Sequence, residues 1–597
     1  MNTTRRIAAL LCVSFSFLCL TLVATADEGM WTFDNFPAKQ VQERFGGWAP
    51  DKAWLDRVQA AAVRLTGGCS ASFVSPDGLV LTNHHCVASC VQSLSTASQD
   101  YMENGFVAKS RDQEKLCPGQ QAEVVTSISD VTPRVQTAIG NKTGADLTKA
   151  RDAEIGAIES ESCTDKEKER CQVVTLYGGG QYKLYRYRKY SDVRLVWAPE
   201  LQAAFFGGDP DNFNFPRYNL DASFLRVYEN GKPAATPQFL KWNPRPPEGG
   251  EPTFVVGNPG STQRLFTGSQ FDFRRDVYFP TLVPLSSEYR GRLLAEMDDD
   301  AEKARTANDR LHSVENSHKV FIGQWQALRD DEFMARLSNA ERELRDRVKG
   351  NAEVGDPWTA IDQAVAKFQP YFTEYFMLEE RPGWRTDLYM YARELVRSAI
   401  EREKPATDRL PNYAESRLPL LEKQITDEKP TYPWLEEMTM AFWLSKTREL
   451  LTADDPRVKD LLGKESPEQL AKRLISGTKL ADTKVRKELW SGGLKAVQAS
   501  QDPMIKFALT VEKHARPILD RYRAEYDAPA TVAQAQLSKA RFAAFGESVY
   551  PDATFSLRIS YGAVEGWSEK GKDVPFATNM GGMFERATGA FPYNAAK

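Results

Sequence analysis

The stretch Gly68-Cys69-Ser70-Ala71-Ser72-Phe73-Val74-Ser75-Pro76-Asp77-Gly78-Leu79-Val80-Leu81-Thr82-Asn83-His84-His85-Cys86 decides the reading of this chain. It runs as a strand, a Pro-Asp-Gly turn, a second strand and then His-Cys. Proline presets the first turn position and glycine tolerates positive φ, so the spacing predicts a hairpin. A second strand ending in His-Cys would let Cys86 reach back to Cys69 across that hairpin. A disulfide there would pin an imidazole at the strand's end. A general base needs that fixity, because it must sit within hydrogen-bond reach of its nucleophile. The chain holds five histidines: His84, His85, His312, His318 and His514. The last three fall on helical, charged stretches and are expected at the surface. A catalytic histidine is therefore His84 or His85; the plain alternative is that both only pack at a strand end. A zinc site from His84, His85, Cys86 and Cys90 is a further alternative. Its spacing is poor and an oxidising compartment works against it.

A base of this kind needs a carboxylate to orient it. The segment from Gly207 to Asp221 supplies candidates. Asp209 and Asp211 stand beside proline and glycine and read as turn acids. Asp221 differs, because it opens the apolar run Ala222 to Tyr228, where a carboxylate is costly without a partner. The imidazole of His85 would be such a partner. The nucleophile is harder to place. No Gly-Asp-Ser-Gly or Gly-Asn-Ser-Gly tetrapeptide occurs. Gly257-Asn258-Pro259-Gly260-Ser261 comes nearest, but Pro259 lacks one of the N–H groups an oxyanion hole would use. It reads as a turn at a strand end.

The N-terminus points to export. Arg5 and Arg6 precede an apolar run from Ile7 to Val23, and Ala24-Thr25-Ala26 offers small residues to a signal peptidase. Cleavage is expected after Ala26, with no membrane span left afterwards. The formal charge of −4 becomes −6 without Arg5 and Arg6, which is the wrong sign for a nucleic-acid partner. Six cysteines remain: Cys69, Cys86, Cys90, Cys117, Cys163 and Cys171. An even number in an exported chain reads as disulfides; 15 pairings are open, with Cys163 and Cys171 expected to close a local loop.

The composition changes twice along the chain. Residues 27–276 are rich in aromatics, glycine and short alternating runs; Gln181 to Tyr190, Val193 to Trp197, Ser223 to Tyr228 and Thr253 to Val256 read as strands. A helix is expected from the Asp51 cap through Trp54, Leu55, Val58, Ala62 and Leu65, ending at Gly67. Residues 277–547 are densely charged with apolar residues at three and four, which predicts a helical domain. Strand texture returns in 548–597.

With these residues in place the chain resembles the bacterial dipeptidyl-peptidase family of the chymotrypsin clan, the enzymes called dipeptidyl-peptidases seven and eleven. The likeness rests on Asp27-Glu28-Gly29-Met30-Trp31, Thr82-Asn83-His84-His85-Cys86, the Gly207-to-Asp221 segment and the later helical block. It implies an α+β fold: a chymotrypsin-like double β-barrel with a large helical cap domain inserted between its catalytic segments. It implies that His85 is the general base and Asp221 the orienting acid. Asn212 matches the asparagine that binds the substrate's free α-amino group. Phe213 stands where the family often has tryptophan, and Asn316 matches a helical-domain asparagine with the same task. The implied partners are peptides with a free N-terminus, the family suggests a homodimer, and no cofactor or metal is expected. In the family the serine lies in a Gly-Asn-Ser-Gly turn. The resemblance therefore places it beyond Lys597, so that the second barrel is incomplete in this chain and about a hundred residues are missing. Rival expectations are a catalytically inactive binder of peptide N-termini and a trypsin-like endopeptidase with the same base and acid.

Overall fold

The computed structural model describes residues 28–546, 549–569 and 571–596. The expected export signal and its cleavage site lie outside these residues. Strands β1 (Ala62–Leu65), β2 (Cys69–Phe73), β3 (Leu79–Thr82), β4 (Phe106–Val107), β5 (Lys115–Leu116), β6 (Ala122–Asp130), β7 (Glu169–Leu176), β8 (Gln181–Tyr190), β9 (Asp192–Ala198), β10 (Ser223–Glu229) and β11 (Lys232–Pro233) build one eleven-stranded antiparallel sheet. Its order is β4-β9-β10-β3-β2-β1-β6-β8-β7, with β5 on β9 and β11 on β10. The β2–β3 hairpin forms where Pro76-Asp77-Gly78 predicts it. Gly78 has φ +76°, and a Cβ there would stand 2.7 Å from the Val227 carbonyl oxygen, so only glycine fits this turn.

Alternation puts Val193 and Leu195 of β9, Leu225 and Val227 of β10 and Val80 of β3 into one core, packed against Val87 and Val91 of the helix His84–Leu94. Each such side chain stabilises the fold by roughly 1.5–3 kcal/mol on burial. This core is what holds the end of β3 still.

One expected element is shorter than its sequence pattern. Asp51 caps the helix by accepting from the Trp54 N–H at 2.7 Å, but the helix is Lys52–Ala61. Ala62 to Leu65 is strand β1, paired with β2 on one side and with β6 on the other. Val63 and Leu65 suit either period, and cross-strand partners on both sides decide for the strand.

Helices then run from Gly268–Phe273 to Ala528–Phe545. They enclose the largest core, in which Phe376, Tyr389 and Trp443 are fully buried. The Trp443 Nε1–H donates to the Met377 carbonyl at 3.0 Å, which satisfies the one polar atom of a buried indole. Strand β12 (Pro252–Gly257) precedes this helical run and β13 (Arg558–Ala563) follows it, and the two pair antiparallel as a separate two-stranded sheet. A short hairpin, β14 (Trp567–Glu569) with β15 (Lys572–Val574), and the helix Met580–Arg586 come after. Among the described residues no helix is long and apolar enough to cross a membrane.

The six cysteines among the described residues are all paired, as Cys69–Cys86, Cys90–Cys117 and Cys163–Cys171. The two thiols of the alternative zinc set are thus held in two different disulfides.

Candidate active site

Register brings the histidine pair to Asp221. In the β3–β10 ladder Ser223 faces Thr82. Because the strands are antiparallel, the chain leaving β3 through Asn83 to His85 runs beside the chain entering β10 through Asp221 and Ala222. A one-residue slip would turn Asp221 to the other side. β10 starts at Ser223, where the alternation predicts it, and Asp221 stands two residues before it.

His85 also stands differently from expectation. It does not end a strand; it is the second residue of the helix His84–Leu94, with Asn83 at the cap position. The first N–H groups of a helix lack internal partners. The Asn83 side chain makes no cap bond, and Asp221 takes that role from the segment that leads into β10. Its Oδ1 accepts from the His85 backbone N–H at 3.0 Å, and its Oδ2 lies 2.7 Å from His85 Nδ1. Asn83 Nδ2 donates to the Asp221 carbonyl at 3.0 Å and to Oδ2 at 3.3 Å. One carboxylate therefore fixes both the ring and the backbone of His85. Burial pushes the Asp221 carboxyl up, but the hydrogen bonds and charge of His85 outweigh it and hold the group below the usual carboxylate range. The Asp221 side chain is 21% exposed and that of His85 66%, so the imidazole is presented outward from a fixed base. Cys86, the next residue, is tied to Cys69 on β2.

The choice between the two histidines is made by burial. His84 is 2% exposed, and its Nε2 is buried without a hydrogen-bond partner among the described residues. Burial, together with the charge of His85, lowers its pKa to about 4 against the opposing pull of Asp221. His84 is a neutral core residue. His312 corrects the surface expectation in the same way: it stacks on Phe205 with ring centroids 4.3 Å apart, and burial, then His84, lowers its pKa to about 4. His318 is half-buried against Ser286 at 2.6 Å, and His514 pairs with Asp460 at 2.8 Å.

Asn212 and Asn316 are brought together although 104 residues separate them. Asn212 Nδ2 donates to Asn316 Oδ1 at 3.0 Å, and Arg217 Nη1 donates to Asn212 Oδ1 at 3.1 Å. Lys319, on the same helix as Asn316 (Ala301–Ala327), donates to the Asp209 carbonyl. Each amide oxygen keeps a second lone pair for an outside donor. Phe213 follows with φ +63° and 62% exposure, a rare backbone state that presents an aromatic face to solvent.

Asp211 overturns its reading as a turn acid. It is 1% exposed; its Oδ2 accepts from Arg586 Nε at 2.7 Å and its Oδ1 from the Tyr593 hydroxyl at 3.1 Å. Gln202 and the Gly207 N–H also bind carbonyls of that distant segment, at Pro592 and Asn594. Asp209 keeps a buried Oδ1. Sequence reasoning missed Asn83, Arg217, Arg586 and Tyr593; for the last two no local signal exists, because their partner is more than 370 residues away. Replacing Arg586 by Met leaves the Asp211 carboxylate buried and half-paired. The expected loss is about 3 kcal/mol, the low end for a broken buried pair because Arg586 is 39% exposed. Urea unfolding measures it, and a Asp211→Asn background should remove most of the effect.

A histidine held through Nδ1 by a carboxylate, at the end of a disulfide-pinned antiparallel sheet, is the base-and-acid arrangement of a nucleophilic hydrolase. The Peptidase S46 family model matches residues 26–597, and the chain belongs to that family. The Asp/Glu-specific dipeptidyl-peptidase of Shewanella putrefaciens is 29% identical over 603 residues, covering 96% of this chain and 81% of the relative. Dipeptidyl-peptidase 7 of Porphyromonas gingivalis is 27% identical over 603 residues, covering 94% and 82%. The crystal structure of Porphyromonas endodontalis DPP11 in complex with the dipeptide Arg-Glu superposes with a TM-score of 0.77 at 22% identity, over 95% of this chain and 85% of that one. That likeness shows the fold, a mixture of a large antiparallel sheet and many helices.

Proposed function

We propose that this chain carries the base, the orienting acid and the amino-terminus anchor of an exported dipeptidyl-peptidase, which releases dipeptides from free peptide N-termini. The observation that carries it is the 2.7 Å contact between His85 Nδ1 and Asp221 Oδ2. Nδ1 is committed to the carboxylate, which fixes the tautomer and leaves Nε2 to take a proton. A serine hydroxyl presented to Nε2 would lose its proton to His85 as it attacks the peptide carbonyl. His85 would then give that proton to the leaving amine, and Asp221 stabilises the imidazolium formed in between. In this reading the large sheet belongs to the first barrel of a chymotrypsin-like double barrel, β12 and β13 belong to the second, and residues 277–547 form the inserted cap. Three disulfides suit an oxidising compartment such as the periplasm.

Exopeptidase action requires that the substrate be held by its α-ammonium. Asn212 and Asn316 offer neutral acceptors, and the exposed ring of Phe213 adds a face that attracts a cation. The test is calorimetric binding of a tripeptide with a free amine against its N-acetylated form. The free amine is expected to bind at least ~10-fold tighter, and Asn212→Ala is expected to abolish the difference. Equal binding of both forms sinks the exopeptidase reading and leaves an endopeptidase.

A further inference from the structure

A second cavity lies wholly within the helical part, and neither His85, Asp221 nor Asn212 lines it. It encloses about 420 Å³, within the size range of small-ligand sites. Tyr289, Phe321, Trp384 and Met390 form apolar walls, and Arg310, Arg381, Arg385 and Arg393 bring four guanidinium groups against two carboxylates, Glu380 and Asp387.

Those charges are unevenly answered. Arg393 pairs with Glu379 and Glu394, at 3.1 and 3.2 Å, and Arg310 with Asp387 at 3.5 Å. Arg381 stands 3.9 Å from Glu380, a carboxylate that already accepts from the Tyr278 hydroxyl at 3.2 Å. Its Nε is buried without a hydrogen-bond partner among the described residues. Arg385 donates to Ser313 Oγ at 2.7 Å and, among the described residues, forms no ion pair with a carboxylate. Arg385 is exposed at the cavity mouth; the charges of Arg310 and Arg381 work against its own, with Asp309 opposing them. Like charges gathered in a partly enclosed space are unfavourable unless an anion joins them.

The backbone gives an independent sign. Gly383, Trp384 and Arg385 take φ of +70°, +43° and +72° in succession. Non-glycine residues hold such angles only where the surroundings impose them, and such residues gather at ligand clamps. Here a Cβ on Gly383 would stand 2.2 Å from the Tyr389 ring, Trp384 packs on Tyr289 and Phe442, and the Thr386 N–H closes on the Gly383 carbonyl at 2.9 Å. The strained turn delivers Arg385 to the cavity.

We propose that this cavity is a carboxylate-binding site, with Arg385 and Arg381 as its recognition groups. A guanidinium presents a planar fork that matches a carboxylate through two parallel N–H···O bonds. The carboxylate has two sources. One is a free small dicarboxylic acid. The other is an acidic side chain on the first residue of a bound peptide, because Ser317 lines the cavity and Asn316 precedes it on the same helix. The second source rests on the amino-terminus anchor proposed above; the first does not.

Calorimetry on the full chain at pH 7 tests this with two matched pairs: succinate against succinamide, and Asp-Ala-Ala against Asn-Ala-Ala. In at least one pair the acid is expected to bind at least ~10-fold tighter than its amide. Arg385→Met is expected to erase that preference, and Arg385→Lys to reduce it by losing the fork. A preference confined to succinate identifies a free acid, and one confined to the aspartyl peptide identifies the side chain. If the anchor is wrong, both tripeptides fail while succinate still binds. Absence of any acid-over-amide preference in the unmodified chain overturns the site, as does a preference that survives in a folded Arg385→Met variant.

Discussion

In the dipeptidyl-peptidase proposed above, replacing Asp221 by Asn is expected to lower kcat by about 10³–10⁴-fold with little change in KM, the scale seen when the acid of such a triad becomes an amide. The carboxylate does three things at once here. It holds His85 Nδ1, it accepts the His85 backbone N–H, and it receives Asn83. An amide of the same shape can keep the backbone bond but offers no charge to an imidazolium, and its NH₂ can force the ring into the wrong tautomer. The Asn212–Asn316 pair, the amino-terminus anchor proposed above, is left intact. Steady-state kinetics on a chromogenic dipeptide separates kcat from KM. A loss below tenfold would remove Asp221 from the mechanism. Asn83→Ala should act in the same direction and more weakly, since it removes one neutral bond to the acid.

Acidification is expected to destabilise the fold through His84. The folded pKa of His84 is about 4, against roughly 6.5 for an unfolded histidine. A depressed histidine binds fewer protons folded than unfolded. Stability is therefore complete above pH 6.5, falls as the pH drops from 6.5 towards 4, and then levels off. The difference integrates to about 3 kcal/mol. His312, lowered to about 4 as well, adds to the loss. Urea unfolding at pH 7 and pH 4.5 measures the sum, and ring-proton NMR titration reads His84 itself. A His84 midpoint near 6.5 would refute the prediction.

Much of this protein can be read without coordinates, because the signals are local. Pro76-Asp77-Gly78 specifies a tight turn whatever surrounds it. Alternation in β8, β9 and β10 and the three-and-four spacing of the helical run report which face each element must bury. The hairpin brings the chain after Thr82 back towards Cys69, which made Cys86 a candidate partner. The places where local reading fails have a common cause. Ala62 to Leu65 fits a helix and a strand equally, and only β2 and β6 on either side choose. Asp211 sits beside proline and glycine as a turn acid would, yet Arg586 and Tyr593 arrive from the far end of the chain to bury it. His312 lies on a charged helix, and packing on Phe205 takes it out of water.

The sequence by itself determined most of the elements, the hairpin and the short list of residues able to act as base and acid, because turns, periodicity and residue chemistry are properties of neighbours along the chain; the anchor pair was named only by the family resemblance. Which histidine meets which acid, that Asp221 caps the helix that carries His85, and that Asn212 meets Asn316 were decided only by tertiary structure. Those facts depend on strand register and on the docking of the helical part, and both are set by the burial of whole faces rather than by any local run of residues.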